Sequence, residues 1–194
     1  GEVDWEAVAK KRQEIDADVR FTSFLDSVHE LDRPSLWFLH LLEPHLPFRH
    51  VADGQVYESR PRPRGLESEW VSWVDQQDLG DQARARYMVE LQNVDRRIGE
   101  VLDRLEDEGL SDDTMLIVTS DHGVSFDAGS SRRAVPPTAG NEAEVIPVPL
   151  FIRYPGQTQG VVDDRPASIV DILPTIAHEL DADLTDGWAL DGQP

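Results

Sequence analysis

Asp121-His122, followed by Gly123, sets a hard carboxylate oxygen beside an imidazole nitrogen, a donor pair that suits a divalent cation. Gly123 would let the backbone turn tightly behind them. The same residues also read as an Asp capping the next segment beside a His packed in a polar crevice. His45 is a second candidate, because Pro44 and Pro47 stiffen its loop and could aim the ring at an anionic oxygen as donor or general acid. A solvated His in a proline-rich loop fits equally. His40 lies inside an apolar run and reads either as a hydrogen-bonded core residue or as a neighbour of that loop. Arg60, Arg62 and Arg64, or Arg132 and Arg133, could grip a phosphate or sulfate through guanidinium forks, or simply be exposed. His29, His50 and His178 have no evident partner. Asp181, Asp183, Asp186 and Asp191 lack the glycine and terminal glutamate of an EF-hand loop and read as solvated. No G-x-S-x-G elbow occurs, and no Ser or Thr is visibly paired with a base.

These side chains need elements to hold them. Pro34 introduces Ser35–Leu42, whose length and aromatic content fit a buried strand ending at the His45 loop. The stretch from Asp4 to about His29 reads as a surface helix with Trp5, Val8, Ile15, Val19 and Phe24 at loose helical spacing. Residues 49–81, rich in Pro, Gly and Arg with Trp70 and Trp73 behind, read as a long excursion suited to a lid or a partner contact. A helix is predicted over Gln82–Glu108, with Tyr87, Met88, Leu91, Val94, Ile98, Val101, Leu102 and Leu105 on one stripe. Arg96, Arg97, Glu100, Asp103 and Arg104 take its other side, and Gly109 stops it.

Thr114–Thr119 is a second buried strand, running directly into Asp121 and His122. Residues 124–147 read as a loop, and Val148–Tyr154 as a third strand with Pro149 at its beginning or on an edge. A last helix is expected from an Asp171 N-cap to about Leu180, with Pro174 in the first turn and Ile172, Leu173, Ile176, Ala177 and Leu180 on one face. Strand, helix and strand in this order predict a parallel βαβ unit. In an open parallel sheet ligands gather at the carboxyl ends of the strands, where His45, Asp121 and His122 would all stand.

Composition narrows the partners. With 18 Lys+Arg against 38 Asp+Glu in 194 residues, the net charge of −20 disfavours nucleic acid and anionic membrane surfaces. A chain of this length can bury roughly 70% of its unfolded surface, enough for one core. The absence of cysteine excludes disulfides, thiolate metal sites and a cysteine nucleophile within these residues. No apolar run reaches about 18 residues, and Gly1–Trp5 is acidic where a signal peptide would be basic.

Five segments in order resemble the C-terminal part of the catalytic domain of sulfatase-like enzymes in the alkaline phosphatase superfamily. They are Trp37–Phe48 (WFLHLLEPHLPF); Tyr87–Gly109, with Asn93-Val94-Asp95 and Ile98-Gly99; Asp113–Gly123 (DTMLIVTSDHG); Val148–Gly156 (VPLFIRYPG); and Ser168–Thr175 (SIVDILPT). The resemblance implies a three-layer α/β/α sandwich with a mainly parallel sheet, here lacking its N-terminal part, so that residues 1–194 form a partial catalytic domain. It implies hydrolysis or transfer of a sulfate or phosphate ester through a covalent intermediate. Asp121 and His122 would be metal ligands for Mn, Zn or Ca, and His45 would contact the transferred group or its leaving oxygen. His40 would lie on the substrate side. Arg132 and Arg133 stand loosely where the family's usual lysine is missing.

Family members place a metal-binding carboxylate and a nucleophile before the first strand seen here, and residues 1–35 match neither. The isolated chain is therefore expected to be inactive. The resemblance also suggests an extracytoplasmic protein, with a membrane anchor possible outside this segment. The alternative is a noncatalytic binding module that displays residues 49–81 to a protein or glycan partner on a degenerate scaffold.

Overall fold

Charged and apolar residues share the inward side of one long helix, and the compact unit to which it belongs is arranged along it. The computed structural model describes residues 18–56, 63–66, 72–134 and 140–182. In chain order the elements are α1 (residues 18–27), α2 (Gln77–Asp107), β1 (Leu116–Thr119), the one-turn α3 (Glu142–Val145), β2 (Leu150–Arg153) and α4 (Ile172–Glu179). A 3-10 turn over Ile169–Asp171 leads into α4. The chain divides into two compact units: Gly1–Thr114 with His122–Pro147, and Met115–Asp121 with Val148–Pro194. Trp5, Val8, Ile15, Arg60, Arg62, Trp70, Asp183, Asp186 and Asp191 lie outside the described residues.

In the first unit, α2 begins five residues earlier than the apolar pattern indicates, at Gln77. Gly80 sits inside it, a choice that costs a helix about 1 kcal/mol against Ala. The reason is space: a Cβ there would stand 2.2 Å from the Phe126 carbonyl oxygen. The helix ends in a Schellman motif, with Gly109 at φ +70°, its N–H donating to Glu106 O and the Leu110 N–H donating to Leu105 O.

The buried residues of α2 are Gly80, Ala83, Glu90, Asn93, Arg97 and Leu105. This corrects the stripe read from sequence. Met88 is half-exposed and Arg97, expected on the solvent side, is only 2% exposed. A helix presents a face to whatever packs on it, and here much of what packs is a polar loop. The apolar core of this unit is Leu46, Phe48, Leu66, Trp73, Ala83 and Phe126, with Tyr87 and Val124 against it. Phe48 meets Tyr87 edge-on at 5.6 Å, and Tyr87 and Trp73 lie 5.4 and 5.7 Å from Phe126. Leu66 and Trp73 come from the 49–81 segment, joined by an antiparallel bridge, and the Trp73 indole N–H donates to Ser125 O at 2.8 Å. In α1 the buried residue is Phe21, whereas Val19 is exposed and Phe24 half-buried, so the helix is turned relative to the predicted face.

The second unit holds β1 and β2, paired antiparallel with Leu116 opposite Arg153 and Thr119 opposite Leu150. The parallel βαβ unit expected from Ser35–Leu42, the long helix and Thr114–Thr119 is not formed, because its first segment carries no strand, and the neighbour that Thr114–Thr119 does find is antiparallel. The chain between β1 and β2 returns to the end at which β1 finishes, so β2 runs back along it; the Thr119 hydroxyl closes that end by donating to Pro149 O at 2.9 Å. Residues 34–42, expected as a strand, form no ladder, and Leu36 and Phe38 are each 80% exposed. A strand exists by pairing its backbone, and no described segment pairs with this one. The described residues therefore contain a two-stranded sheet and four helices, not the three layers expected. Helix α4 matches its predicted bounds with Asp171 as N-cap, and Pro174 and Ala177 are buried, but Leu173 and Leu180 face solvent. No described helix is long and apolar enough to cross a membrane.

Trp73→Ala removes both the aromatic contact and the indole hydrogen bond and should cost about 3–5 kcal/mol in urea denaturation. Phe151→Ala, at an exposed position, should stay within about 0.5 kcal/mol of wild type. Equal effects at the two positions would contradict this placement of the core.

Candidate functional site

The loop at 43–50 is held from both sides while its central histidine faces out. Leu46 and Phe48 point into the aromatic core, so His45 between Pro44 and Leu46 is left exposed. Both X-Pro bonds, Glu43-Pro44 and Leu46-Pro47, are cis, and Phe48 takes φ +56°. A left-handed aromatic residue is strained, and its nearly complete burial is what holds it there. The His45 N–H donates to Leu42 O at 2.7 Å. Its ring Nδ1 lies 3.0 Å from Leu46 O. A carbonyl oxygen only accepts, so Nδ1 carries the hydrogen and Nε2 is the atom that exchanges protons.

His122 repeats the arrangement, with Nδ1 2.7 Å from Gly123 O, so its Nε2 is likewise the lone-pair nitrogen. Gly123 is required for space and not for a left-handed turn. A Cβ on it would stand 2.1 Å from Glu144 O, and its N–H donates to Val145 O at 2.7 Å. The SDHG segment is thereby pressed against α3. Asp121 is exposed and belongs to the other compact unit. Arg132 is 6% exposed; its carbonyl accepts the Ser125 N–H, and desolvation, with Arg133 beside it, lowers the pKa of its guanidinium. Arg133 and His40 are exposed.

A group absent from the sequence reading is the best-built polar cluster in the first unit. His50, which had no evident partner, donates its backbone N–H to Glu90 Oε2 at 2.8 Å and its ring Nδ1–H to Glu90 Oε1 at 2.5 Å. Glu43 lies 4.0 Å from His50 Nε2 and 3.7 Å from Arg97 Nη2. Arg97 also pairs with Asp18 and covers the Phe21 ring at 4.8 Å. The bond to Glu90 raises the His50 pKa above 6.5 against the desolvation that lowers it; the charges of Glu90 and Glu43 add to the rise and Arg97 opposes it. The available signal was spacing: Arg86, Glu90, Asn93 and Arg97 stand at intervals of 4, 3 and 4, a second stripe along α2 made of polar residues.

Asp121 and His122 have the donor types of a divalent-metal site, but no three His, Asp or Glu side chains gather around a common point among the described residues. The pair falls short of a metal centre in number. An open cleft of about 370 Å³ lies beside α2, lined by Asp18, Phe21, Asp53, Gly54, Arg96 and Glu100 among others, and none of the expected site residues borders it.

Comparison with known proteins gives a family match and a set of partial relatives. Residues 6–182 match the sulfatase family. The chain is 29% identical over 161 residues to an endo-4-O-sulfatase of Bacteroides thetaiotaomicron, covering 77% of this chain and 29% of that protein. It is 28% identical over 174 residues to an ulvan-active sulfatase of Formosa agariphila, covering 85% and 32%. It is 27% identical over 176 residues to an arylsulfatase of Clostridium perfringens, covering 87% and 35%. The chain thus spans about a third of the length of these relatives.

Two measurements test this geometry. Gly123→Ala should cost about 1–3 kcal/mol in urea denaturation, because the backbone of Glu144 must move. Unfolded, His50 titrates near 6.5, and folded it titrates higher, so its stabilisation is complete below about pH 6.5 and is lost as pH rises through the folded value. The urea midpoint should fall as pH rises above about 6.5 through the folded value, and His50→Gln should flatten that fall. A slope unchanged in the variant would remove the assignment.

Proposed function

Because the chain belongs to the sulfatase family of the alkaline phosphatase superfamily, a family of sulfuric ester hydrolases, we propose that it supplies the leaving-group and metal-binding part of a sulfate ester hydrolase. The observation that carries this reading is the fixed tautomer of His45. As an imidazolium the ring holds a proton on Nε2, facing outward from an anchored loop. When a nucleophile bonds to sulfur and the ester S–O bond breaks, the sulfuryl group passes to that nucleophile and the His45 proton passes to the departing oxygen, which leaves as an alcohol. The ring is then neutral with its hydrogen on Nδ1, the form the Leu46 carbonyl already holds, so no ring flip accompanies the transfer.

Sulfatase-family enzymes usually bind a divalent metal, which when bound neutralises the ester oxygens. Asp121 and the Nε2 of His122 are proposed as two of its ligands. The remaining ligands and the nucleophile are assigned to the two thirds of the relatives' length that the chain does not span. His40 is proposed on the substrate side of the His45 loop. Arg133, exposed, is better placed than the buried Arg132 to meet a substrate anion. Of the two reactions that the sequence resemblance leaves open, the relatives favour sulfate ester hydrolysis over phosphoryl transfer.

Calorimetric titration of the chain with Mn²⁺, Zn²⁺ and Ca²⁺ should show weak binding of at least one, lost in Asp121→Asn; silence from all three would favour a noncatalytic binding module. Residues 1–194 alone should hydrolyse neither aryl sulfates nor phosphate esters. Turnover abolished by His45→Ala would place the nucleophile within these residues and overturn the division of the site.

A further inference from the structure

We propose that Glu90 is a positioning residue for His45, acting through His50, with Arg86 and Arg97 fixing the rest of the same loop. The proposal rests on the reading of His45 as the proton donor. Three side chains on one face of α2 hold loop 43–50 along its length. Arg97 pairs with Glu43 at its start. Arg86 Nη2 donates to Pro47 O and Phe48 O, at 3.3 and 2.8 Å, just past His45. Glu90 takes the end of the loop, and both of its oxygens are spent on one residue, since Oε2 accepts the His50 backbone N–H and Oε1 the ring. A carboxylate gripping backbone and ring of the same residue sets that residue's orientation and not merely its distance.

Charge balance makes the clamp conditional on a proton. Glu90 is 1% exposed and Arg97 2%, and the Glu43 side chain is 7% exposed. The cations facing these two buried carboxylates are Arg97 and His50, and Arg97 also serves Asp18 from α1. With His50 protonated, the two buried carboxylates meet two cations, the third carboxylate on Arg97, that of Asp18, being 81% exposed to solvent. When His50 loses its proton, the nearly buried Glu90 and Glu43 carboxylates share Arg97 alone, and Glu43 Oε2 has no hydrogen-bond partner. The Nδ1–H bond to Glu90 survives that loss but is no longer charge-assisted, so the hold on the loop end weakens, and with it one of the fixed ends of the His45 turn, five residues away. The remaining charged groups along this face point elsewhere: Arg96 to Glu100 and Asn93, and Arg104 to the carbonyls of Leu25 and Val28.

Nuclear magnetic resonance on the chain tests this directly. In Glu90→Gln the His50 ring should titrate lower than in the wild-type chain, since the bond that raises it is gone. The His45 amide, bonded to Leu42 O, should lose about tenfold or more of its exchange protection, while amides at the C-terminal end of α2 keep theirs within about twofold. The ¹⁵N shifts of the His45 ring should report a mixture of tautomers in place of the Nδ1–H form, a change that a general loss of stability would not single out. Should this variant fail to fold, the wild-type chain serves: protection at His45 must decline as His50 deprotonates. A lowered His50 titration with His45 protection and tautomer unchanged would overturn the proposal. None of these readouts depends on turnover, and the functional reading fails separately, through silence of Mn²⁺, Zn²⁺ and Ca²⁺ in calorimetric titration or through ester turnover by residues 1–194 themselves.

Discussion

Buried charge must be neutralised where it stands, and in this protein that requirement falls on one face of α2. Arg86, Glu90 and Arg97 lie along the helix at core spacing, and each reaches a group that other parts of the chain bring to it. Arg104 extends the row by donating to the Leu25 and Val28 carbonyls at the end of α1. One helix therefore sets the position of α1 and of the loop bearing His45. A buried ion pair contributes little net stability once desolvation is counted, but it is intolerant of misplacement, since either partner alone is strongly unfavourable. The face trades stability for geometry, and the geometry it fixes is that of the loop carrying His45.

The same logic explains why the loop is anchored by its neighbours and not by His45 itself. Leu46 and Phe48 are driven into the aromatic cluster, the second of them in a conformation that aromatic residues seldom adopt. Burial of the flanking residues leaves the histidine no inward option. At the SDHG segment the constraint is steric: Gly123 admits the Glu144 carbonyl, and no other residue type leaves that space. In both places a backbone carbonyl then selects the ring tautomer, so the chemistry available at each Nε2 is decided by the course of the main chain.

The antiparallel pair of β1 and β2 and the unpaired residues 34–42 are two consequences of one fact about strands. A strand's hydrogen bonds belong to two segments, so its neighbour and direction are not properties of its own residues. The run Ser35–Leu42 has the composition of a buried strand, yet Leu36 and Phe38 stand in solvent. The sulfatase family implies an alkaline-phosphatase-like α/β fold, and the chain spans about a third of its relatives.

Local information was legible where a residue acts on its own neighbours. The limits of α4, the stop at Gly109, the position of Pro149 just before β2 and the family-bearing order of segments all follow from residues a few positions apart, because caps, turns and propensity are short-range physics. What could not be read was which face of α2 is buried, that His50 meets Glu90 forty residues away, that Arg97 is inside, or that Gly123 is there to admit a carbonyl. Each of these depends on what arrives from elsewhere in the chain. An amphipathic pattern tells that a helix has two sides, but a polar side turned inward is stable only when opposite charges come to meet it, and their arrival is decided by the tertiary structure alone.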